Sequence, residues 1–533
     1  MSNSLVVVES PSKSKTLESY LGKDYKVLAS YGHVRDLLPK KGAVDPDNNF
    51  AMIYEGIERN EKYVNAIKRA LKKADTLYLA TDPDREGEAI SWHLYELLKE
   101  NGCLENKEVH RVAFYEVTKS AVQDAIKNPR ELSSNLVDAQ QARRALDYLV
   151  GFNLSPLLWK KIHKGLSAGR VQSPALRMIV EREKEIEDFI AREYWTIESD
   201  LEFSGSEFLG KLTEFDNKKI KKFSIEDTEQ ASIIKSTLEK AFTGELIVRN
   251  VKKTQRKREP TAPFITSTLQ QEGIRKLGFT AQWTMRIAQQ LYEGIDIGEG
   301  SVGLITYMRT DSVNLAEEAL TEIRDFISSR YGKESLPNEP RVFKKKSKNA
   351  QEAHEAVRPT SVTRVPSEIK DSLTDEQFKL YELIWKRTMA SQMTHATIDS
   401  VAVDMSCGEG NLFRANGSSI ADPGFMQVYL EGVDDSENNE DDEKMLPQLT
   451  EGDKVKLKEI RNEQHFTAPP PRYSEASLVK SLEEYGIGRP STYANIISTL
   501  RNREYVEVES KRFHPTDVGK LVNNFLTAHF SDY

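Results

Sequence analysis

The sequence predicts a multidomain protein of mixed class, with an α/β unit at its amino terminus followed by helical and β-rich parts. Three observations predict it. The 533 residues exceed the usual span of one domain, which is ~100–200 residues. The amino-terminal part alternates short apolar strands with amphipathic helices, the pattern of a parallel α/β sheet. From Tyr194 onward Trp195, Ile197, Leu201 and Phe203 keep strand parity, and strand-like text returns at 398–405 and 454–460. Between these lies the mostly helical stretch 261–396, so the chain leaves a β region, builds a domain and comes back. Such a course can enclose a hole.

The elements follow in order. Residues 5–8 form an apolar strand ending at Glu9, and Pro11 suits the first turn of a helix with Leu17, Tyr20 and Leu21 inward. Residues 26–30 make a strand leading into Tyr31, Gly32 and His33, and residues 61–73 a helix. The stretch 77–98, LYLATDPDREGEAISWHLYELL, reads as a buried strand, a link, and a helix with Ile90, Leu94, Leu97 and Leu98 at helical spacing. In an extended link Asp82, Asp84 and Glu86 project together, and Gly87 turns the chain into the helix. Three such carboxylates raise one another's pKa values unless a cation sits among them, and an oxygen-rich, sulfur-free cluster suits Mg²⁺. A calcium-loop reading of the same string fails at its twelfth position, His93, where Glu is required. Residues 109–114 add a strand, with Thr118 capping a helix over 119–127. Glu9 and the Asp82 set thus lie at the carboxyl ends of parallel strands, where ligands gather in such sheets.

Residues 136–150 read as a helix with Arg143, Arg144 and Asp147 near one polar side, and the loop from Lys164 enters a helix over 173–189. Arg170, Gln172 and Ser173 beside that helix start suit a phosphate. In the insertion, GLITYMRTDS (303–312) reads as a short strand, so Tyr307 and Arg309 point the same way. A phenol, with a reference pKa of ~10, needs a cation or base beside it to act as a nucleophile, and Arg309 supplies charge and a bidentate grip on phosphate. QEAHEAVR (351–358) sets His354 and Arg358 one helical turn apart. After the prolines at 469–471, residues 474–500 read as two helices joined by a Gly turn, with Ser491 as cap, in a helix-turn-helix or winged-helix unit. GEGSVG (298–303) leads into a strand instead of following one, and no Walker A string occurs, so neither dinucleotide nor ATP use is indicated.

With 38% hydrophobic and 30% charged residues, and no apolar run long enough to span a bilayer, the chain reads as soluble, cytoplasmic and without a membrane partner. Cys103 and Cys407, the only cysteines, exclude a disulfide framework and a Cys-rich zinc site. The net charge of −8 argues against a nucleic-acid partner. Seven of the negative charges, however, lie in the run 434–443 (DDSENNEDDE), read as a disordered loop. Outside it the chain is near neutral, with basic clusters at 160–164, 252–258 and 344–348 that permit a phosphate-backbone partner.

A strand ending in Glu followed by one ending in Asp-x-Asp resembles the Toprim fold shared by topoisomerases, primases and some nucleases. The fuller strings VVVESPSKSKT and TDPDREGEAISWH are similar to the start of a type IA DNA topoisomerase. GLITYMRTDS resembles that family's nucleophile motif. With Met308 the string is more similar to the bacterial topoisomerase I branch than to topoisomerase III, where proline is usual. The 136–150, 164–177, 351–358 and 474–500 strings resemble further family motifs in the same order, so the resemblance covers nearly the whole chain.

It implies a ring (toroid) around a central hole. The parts are a Toprim α/β domain (1–131), a split helical DNA-binding domain (132–190 and 462–533), a split β-rich hinge (191–262 and 395–461) and an insertion carrying the nucleophile (263–394). It implies ATP-independent cleavage of one DNA strand, with Tyr307 forming a 5′-phosphotyrosyl intermediate. Arg309 and His354 stabilise phosphate charge, and Lys13 and Glu9 serve the proton transfer. Asp82, Asp84 and Glu86, with Glu9, hold Mg²⁺. The implied DNA contacts are His33, Arg85, Arg111, Arg144, Asp147, Arg170, Gln172, Ser173, Arg489, Ser491 and Thr492. Single-stranded and underwound duplex DNA are the implied partners, relaxation of negative supercoils the outcome, and a monomer the implied state. Tyr148 and Tyr115 stand where Arg and His or Asn are usual, and no role is carried over to them. The alternative readings are a Toprim metal-dependent nuclease or primase, and a non-catalytic single-stranded DNA clamp. The chain stops at Tyr533 in text that reads as helix with no zinc ribbons after it, which reads as a truncation.

Overall fold

The computed structural model describes residues 4–242, 244–298, 300–343, 355–432 and 445–530. His354, the 344–348 cluster and the 434–443 run lie outside the described residues.

A parallel sheet organises the amino-terminal part, its strands ordered Tyr25–Ala29, Ser4–Val8, Thr76–Leu79, Glu108–Arg111. Helices Pro11–Leu21, Glu61–Leu71, Arg85–Glu100 and Lys119–Lys127 connect or flank them. Local sequence sets their starts: Ser10 caps the first helix with Pro11 in its first turn, and Thr118 Oγ1 accepts from the Ala121 N–H. Alternation along Ser4–Val8 decides what each face meets. Leu5 and Val7 pack with Ile67, Leu77, Leu79 and Leu94, while Val6 and Val8 join a second core containing Leu291, Tyr292, Leu304 and Tyr307. Burying each such side chain contributes ~1.5–3 kcal/mol. The two-residue period of one strand therefore seats the Tyr307 segment against the sheet.

A third core draws on both Leu158–Ile179 neighbours and residues 473–526. There the helix Gln172–Glu187 packs on Glu475–Glu484, Tyr493–Asn502, the hairpin Val506–Glu509 with Arg512–Pro515, and Asp517–His529, a winged-helix order. The long helix Ser134–Lys161 runs well past the sequence-predicted end at residue 150. Gly151, Asn153 and Pro156 lower local helix propensity, yet Leu158 is fully buried in this core and holds the last turns.

The fourth core fills an antiparallel sheet ordered Lys218–Lys219, Ser206–Phe215, Leu412–Asp422, Ala396–Ser406, Glu245–Arg258, Lys454–Phe466, Glu193–Phe203. Glu193–Phe203 also pairs with Ser206–Phe215, which closes the sheet on itself. Between Glu245–Arg258 and Ala396–Ser406 the chain builds helices Thr266–Leu277, Ala281–Glu293, Glu317–Tyr331 and Asp375–Ser391, the scaffold of Tyr307. Among the described residues no helix is long and apolar enough to cross a membrane.

Candidate active site

The sequence reading of an extended Asp82–Glu86 link is corrected by the structure. The strand Thr76–Leu79 ends before Asp82, Asp84 is the cap of the helix Arg85–Glu100, and Glu86 sits in that helix's first turn. Asp84 Oδ1 accepts from the Gly87 N–H at 2.9 Å. An aspartate directly before a run of helix formers competes as a cap, and the cap geometry won. Gly87 is needed for close approach: a Cβ there lies 2.1 Å from the Asp82 carbonyl oxygen. Gly87→Ala is therefore expected to cost stability at the upper end of ~1–3 kcal/mol. It should also displace Asp82, both effects being read from the melting temperature and from the DNA-cleavage assay below.

Lys13 joins the two strand ends. Its Nζ donates to Glu9 Oε1 at 3.1 Å and Asp82 Oδ1 at 2.9 Å, with the Phe114 ring 4.7 Å away, and it is wholly buried. The Asp82 N–H in turn donates to Glu9 Oε2 at 3.1 Å. Burial disfavours the ammonium, but Asp82 and Glu9 outweigh that and hold Lys13 above its ordinary value. Glu9 is pushed up to about 8, first by burial and then by the Asp82 charge. Asp82 resists burial because Lys13 lowers it. Burial and the Asp82 charge thus push Glu9 toward its protonated form, while Lys13 and Asp82 stabilise each other's charge.

Tyr307 closes the site from the insertion. Its segment is extended but pairs in no sheet. The Tyr307 N–H donates to the Tyr115 carbonyl at 2.7 Å, Thr306 N–H to Arg358 at 2.9 Å, and Ile305 bridges Pro359. The phenol donates to Asp84 Oδ2 at 2.8 Å and the Arg309 guanidinium to the same oxygen at 3.2 Å. The phenol is held well above its ordinary value by burial and by Asp84, which outweigh Arg309. In this state Arg309 neutralises Asp84 and does not activate the phenol directly. Glu86 meets His33 at 3.4 Å, and Gln140 donates to it at 3.4 Å. Glu9, His33, Asp82, Asp84, Glu86 and Arg309 all line one cleft of about 710 Å³.

A family model described as DNA topoisomerase matches residues 131–533, and a Toprim domain model matches residues 4–117. A DNA topoisomerase 1 of Xylella fastidiosa is 58% identical over 535 residues, covering 100% of this chain and 66% of that protein. One of Rickettsia felis is 55% identical over 532 residues, covering 99% of this chain and 68% of that protein. The chain belongs to the type IA DNA topoisomerase family. It spans about two thirds of the length of these relatives. The solved structure of full-length topoisomerase I from Thermotoga maritima matches with a TM-score of 0.84 at 39% identity, covering 99% of this chain and 83% of that one. The toroidal arrangement of Toprim, helical and β-rich parts is thus shared.

The donor chemistry of this cleft suits Mg²⁺, since four carboxylates and no cysteine line it. Among the described residues, however, no three acidic, His or Cys side chains gather about one point. The expected three-carboxylate cradle is not assembled in this conformation. Asp82 is spent on Lys13, Asp84 on Tyr307, Arg309 and the helix cap, and Glu86 on His33.

Arg111 requires a second correction. It is buried, 1% exposed, and donates to Glu88 and to the carbonyl oxygens of Leu79, Thr81, Asp82 and Val112, so it positions the Asp82 loop and offers nothing to DNA. Arg85, Arg489 and Ser491 line a cavity with Asp84, Arg309 and Thr310, and Thr492 lines the cleft. Thr492, not Ser491, occupies the cap position of Tyr493–Asn502. Arg170 donates to Asp147 at 2.9 Å, while its Nη2 is buried without a partner among the described residues. Arg144 is clamped on Asp36 at 2.8 and 2.7 Å. Gln172 donates to Ser167, and Ser173 Oγ accepts from the Gly169 N–H, so both tie the loop to its helix. Residues 355–358 are extended, with Val357 bridging Phe264, so the helix expected over 351–358 does not reach them. Tyr148, in the family's Arg position, bonds the Lys40 carbonyl and accepts from the Ala43 N–H, docking that loop on the long helix.

Sequence reading missed Gln140 as a site residue and gave Arg143 no role, although both line the cavity beside Glu86. Their spacing of three on a helix puts them on one face, which was the available signal. It also passed over His93 as more than a failed calcium ligand. His93 Nδ1 accepts from Arg35 Nε at 2.7 Å, and burial followed by the Arg35 charge pushes the imidazole down to about 3. A histidine depressed when folded but titrating near 6.5 when unfolded leaves the unfolded chain binding more protons between those values. Stability is then full above pH 6.5 and is lost as pH falls toward 3. Urea denaturation of His93→Gln is expected to show a pH slope smaller than wild type by up to about 1.4 kcal/mol per unit between pH 6.5 and 4.5.

Proposed function

We propose that the chain breaks and reseals one strand of DNA by transesterification, and so relaxes negatively supercoiled DNA. The contact between the Tyr307 phenol and Asp84 at 2.8 Å, with Arg309 beside them, carries this reading. Tyr307 Oη forms a bond to a backbone phosphorus, its proton passes to Asp84, and the bond to the 3′ oxygen breaks. The departing oxygen takes a proton from Glu9, whose raised value favours the protonated form. Lys13 holds Glu9 and Asp82 in register. Arg309 steadies the charge on the phosphate, and His354 is assigned the same task. The ester keeps the bond energy, so the reverse attack by the 3′ hydroxyl needs no ATP. Asp82, Asp84, Glu86 and Glu9 are the residues that would hold Mg²⁺, which would supply positive charge favouring resealing. Single-stranded DNA is assigned to the cavities beside Arg85, Arg143, Arg170, Arg489 and Ser491, and Arg170 Nη2, buried with no partner among the described residues, supports a phosphate there. Underwound duplex exposes single strand, which makes it the favoured substrate. The proposed units are 1–131, 132–190 with 462–533, 191–262 with 395–461, and 263–394; the second and third are each supported by a core largely their own, while the first and last share the core that contains Val6, Val8 and Tyr307.

Incubation with labelled single-stranded DNA followed by denaturation tests the reading. The label is expected on the protein. Free DNA ends without labelled protein indicate a metal-dependent nuclease, and intact DNA a binding clamp; either overturns the proposal.

A further inference from the structure

The strand Glu245–Arg258 is paired on both edges only near its start. Residues 245–247 meet 454–456, whereas 250–258 pair on one side alone, with 396–404. From Lys252 to Arg258 every residue is exposed. Lys252, Arg256 and Arg258 face one way, Lys253 and Lys257 the other. Same-face side chains recur every ~6.6 Å along a strand, a spacing that lays cations in a row. Lys252, Lys253, Lys257 and Arg258 make no ion pair with any described residue. Elsewhere on this sheet several cations are neutralised, with Lys454 on Glu245, Lys458 on Glu207 and Arg461 on Asp200, while Lys211, Lys218 and Lys219 are exposed singly or in a pair and form no comparable row. The one carboxylate directly opposite, Asp399, is taken by Gln255 at 2.9 Å.

Charge on an open edge also discourages strands of other molecules from adding to it, but either sign serves that purpose, and here only one is present. Single-strand readers combine cations with aromatic platforms for the bases. Neither 250–258 nor its partners 396–404 and 414–422 contains an aromatic ring. What remains is a sequence-blind row of cations suited to phosphates alone. The strand also joins the closed sheet to the Tyr307-bearing block, with Arg341 on Glu259 and Arg387 on the Ala262 carbonyl just beyond it.

We propose that this ribbon is a second DNA-binding surface, which holds the phosphate backbone of duplex DNA beside the junction of the sheet and the Tyr307-bearing block. Its use in strand passage rests on the transesterification reading; its binding of duplex does not. The test uses the full chain with K252Q/K253Q/K257Q/R258Q and, separately, the four Glu substitutions, titrating labelled duplex and single-stranded oligonucleotides against salt. For duplex, the log–log salt slope is expected to fall by about 3–4 in the Gln variant, at ~0.9 per phosphate contact. The Glu variant is expected to bind duplex more weakly still. Single-strand affinity and adduct yield should stay at wild-type level, which also reports that both variants fold. Unchanged duplex slopes, or a Glu variant that binds duplex like wild type, assign the charges to edge protection and overturn the proposal. Equal losses for single strand and duplex overturn it too, by making the ribbon part of the single-strand site. Failure of the transesterification reading shows separately, as absence of the wild-type adduct.

Discussion

Tyr307→Phe is expected to abolish the covalent DNA adduct while leaving the fold intact. The ring is buried at 2% exposure among Tyr292 and the sheet residues, and phenylalanine fills the same space. Only the hydrogen bond to Asp84 is lost, and a bond to a charged group is worth ~1.5–3 kcal/mol. Asp84 keeps Arg309 and the Gly87 N–H, so no carboxylate is stranded. Adduct yield from labelled single-stranded DNA should fall below detection, with DNA still bound. A Phe variant that forms the adduct at wild-type yield sinks the assignment of Tyr307. A variant that loses the adduct through unfolding shows itself in the melting curve, which is expected to shift by only a few degrees.

That prediction depends on a contact spanning 223 positions of sequence. Text supplied both ends of it. Tyr307 and Arg309 stand two apart in an extended segment, and Asp84 sits at a strand-to-helix link. What text did not supply is how each carboxylate is spent, because that depends on partners brought in from other elements. Asp84 reads as one tooth of a metal comb, yet it is also the best available cap for the helix after it, and local capping took one of its oxygens. Strand starts, Pro11 in a first turn, the Thr118 cap and the winged-helix order were legible, since neighbouring residues decide them. The length of Ser134–Lys161 was not, because buried Leu158 and its distant partners override Gly151 and Pro156. Tyr148 departs from the family pattern, and its hydroxyl docks the Lys40 loop where a guanidinium is usual.

Arg111 gives the sharpest case, and it leads to the second large effect. In sequence the family resemblance implies a DNA contact for Arg111. Here its guanidinium is enclosed. Nε donates to Glu88 at 2.9 Å, Nη1 to Leu79 at 3.0 Å and Thr81 at 2.9 Å, and Nη2 to Asp82 at 2.6 Å. Glu88 is also bound twice by Arg130 and by the Ser133 N–H, the cap residue of Ser134–Lys161. Burial alone raises a carboxyl, but Arg130 and Arg111 hold Glu88 down to about 2. The cluster thus ties the Asp82 loop to the start of the long helix. Arg111→Met keeps the bulk but leaves buried carbonyls unpaired and removes one of the two arginines that offset the Glu88 charge. Breaking a buried pair of this kind costs ~3–5 kcal/mol. The variant is expected to melt several degrees lower and to exchange its Thr81–Gly87 amides faster. Adduct yield should fall at least tenfold, because Asp82 and Asp84 lose their anchor. Arg111→Lys keeps the charge with fewer donors and should recover melting more than adduct yield. A direct role in gripping DNA predicts the reverse, with wild-type melting and weakened single-strand binding, and that result would return Arg111 to the DNA surface.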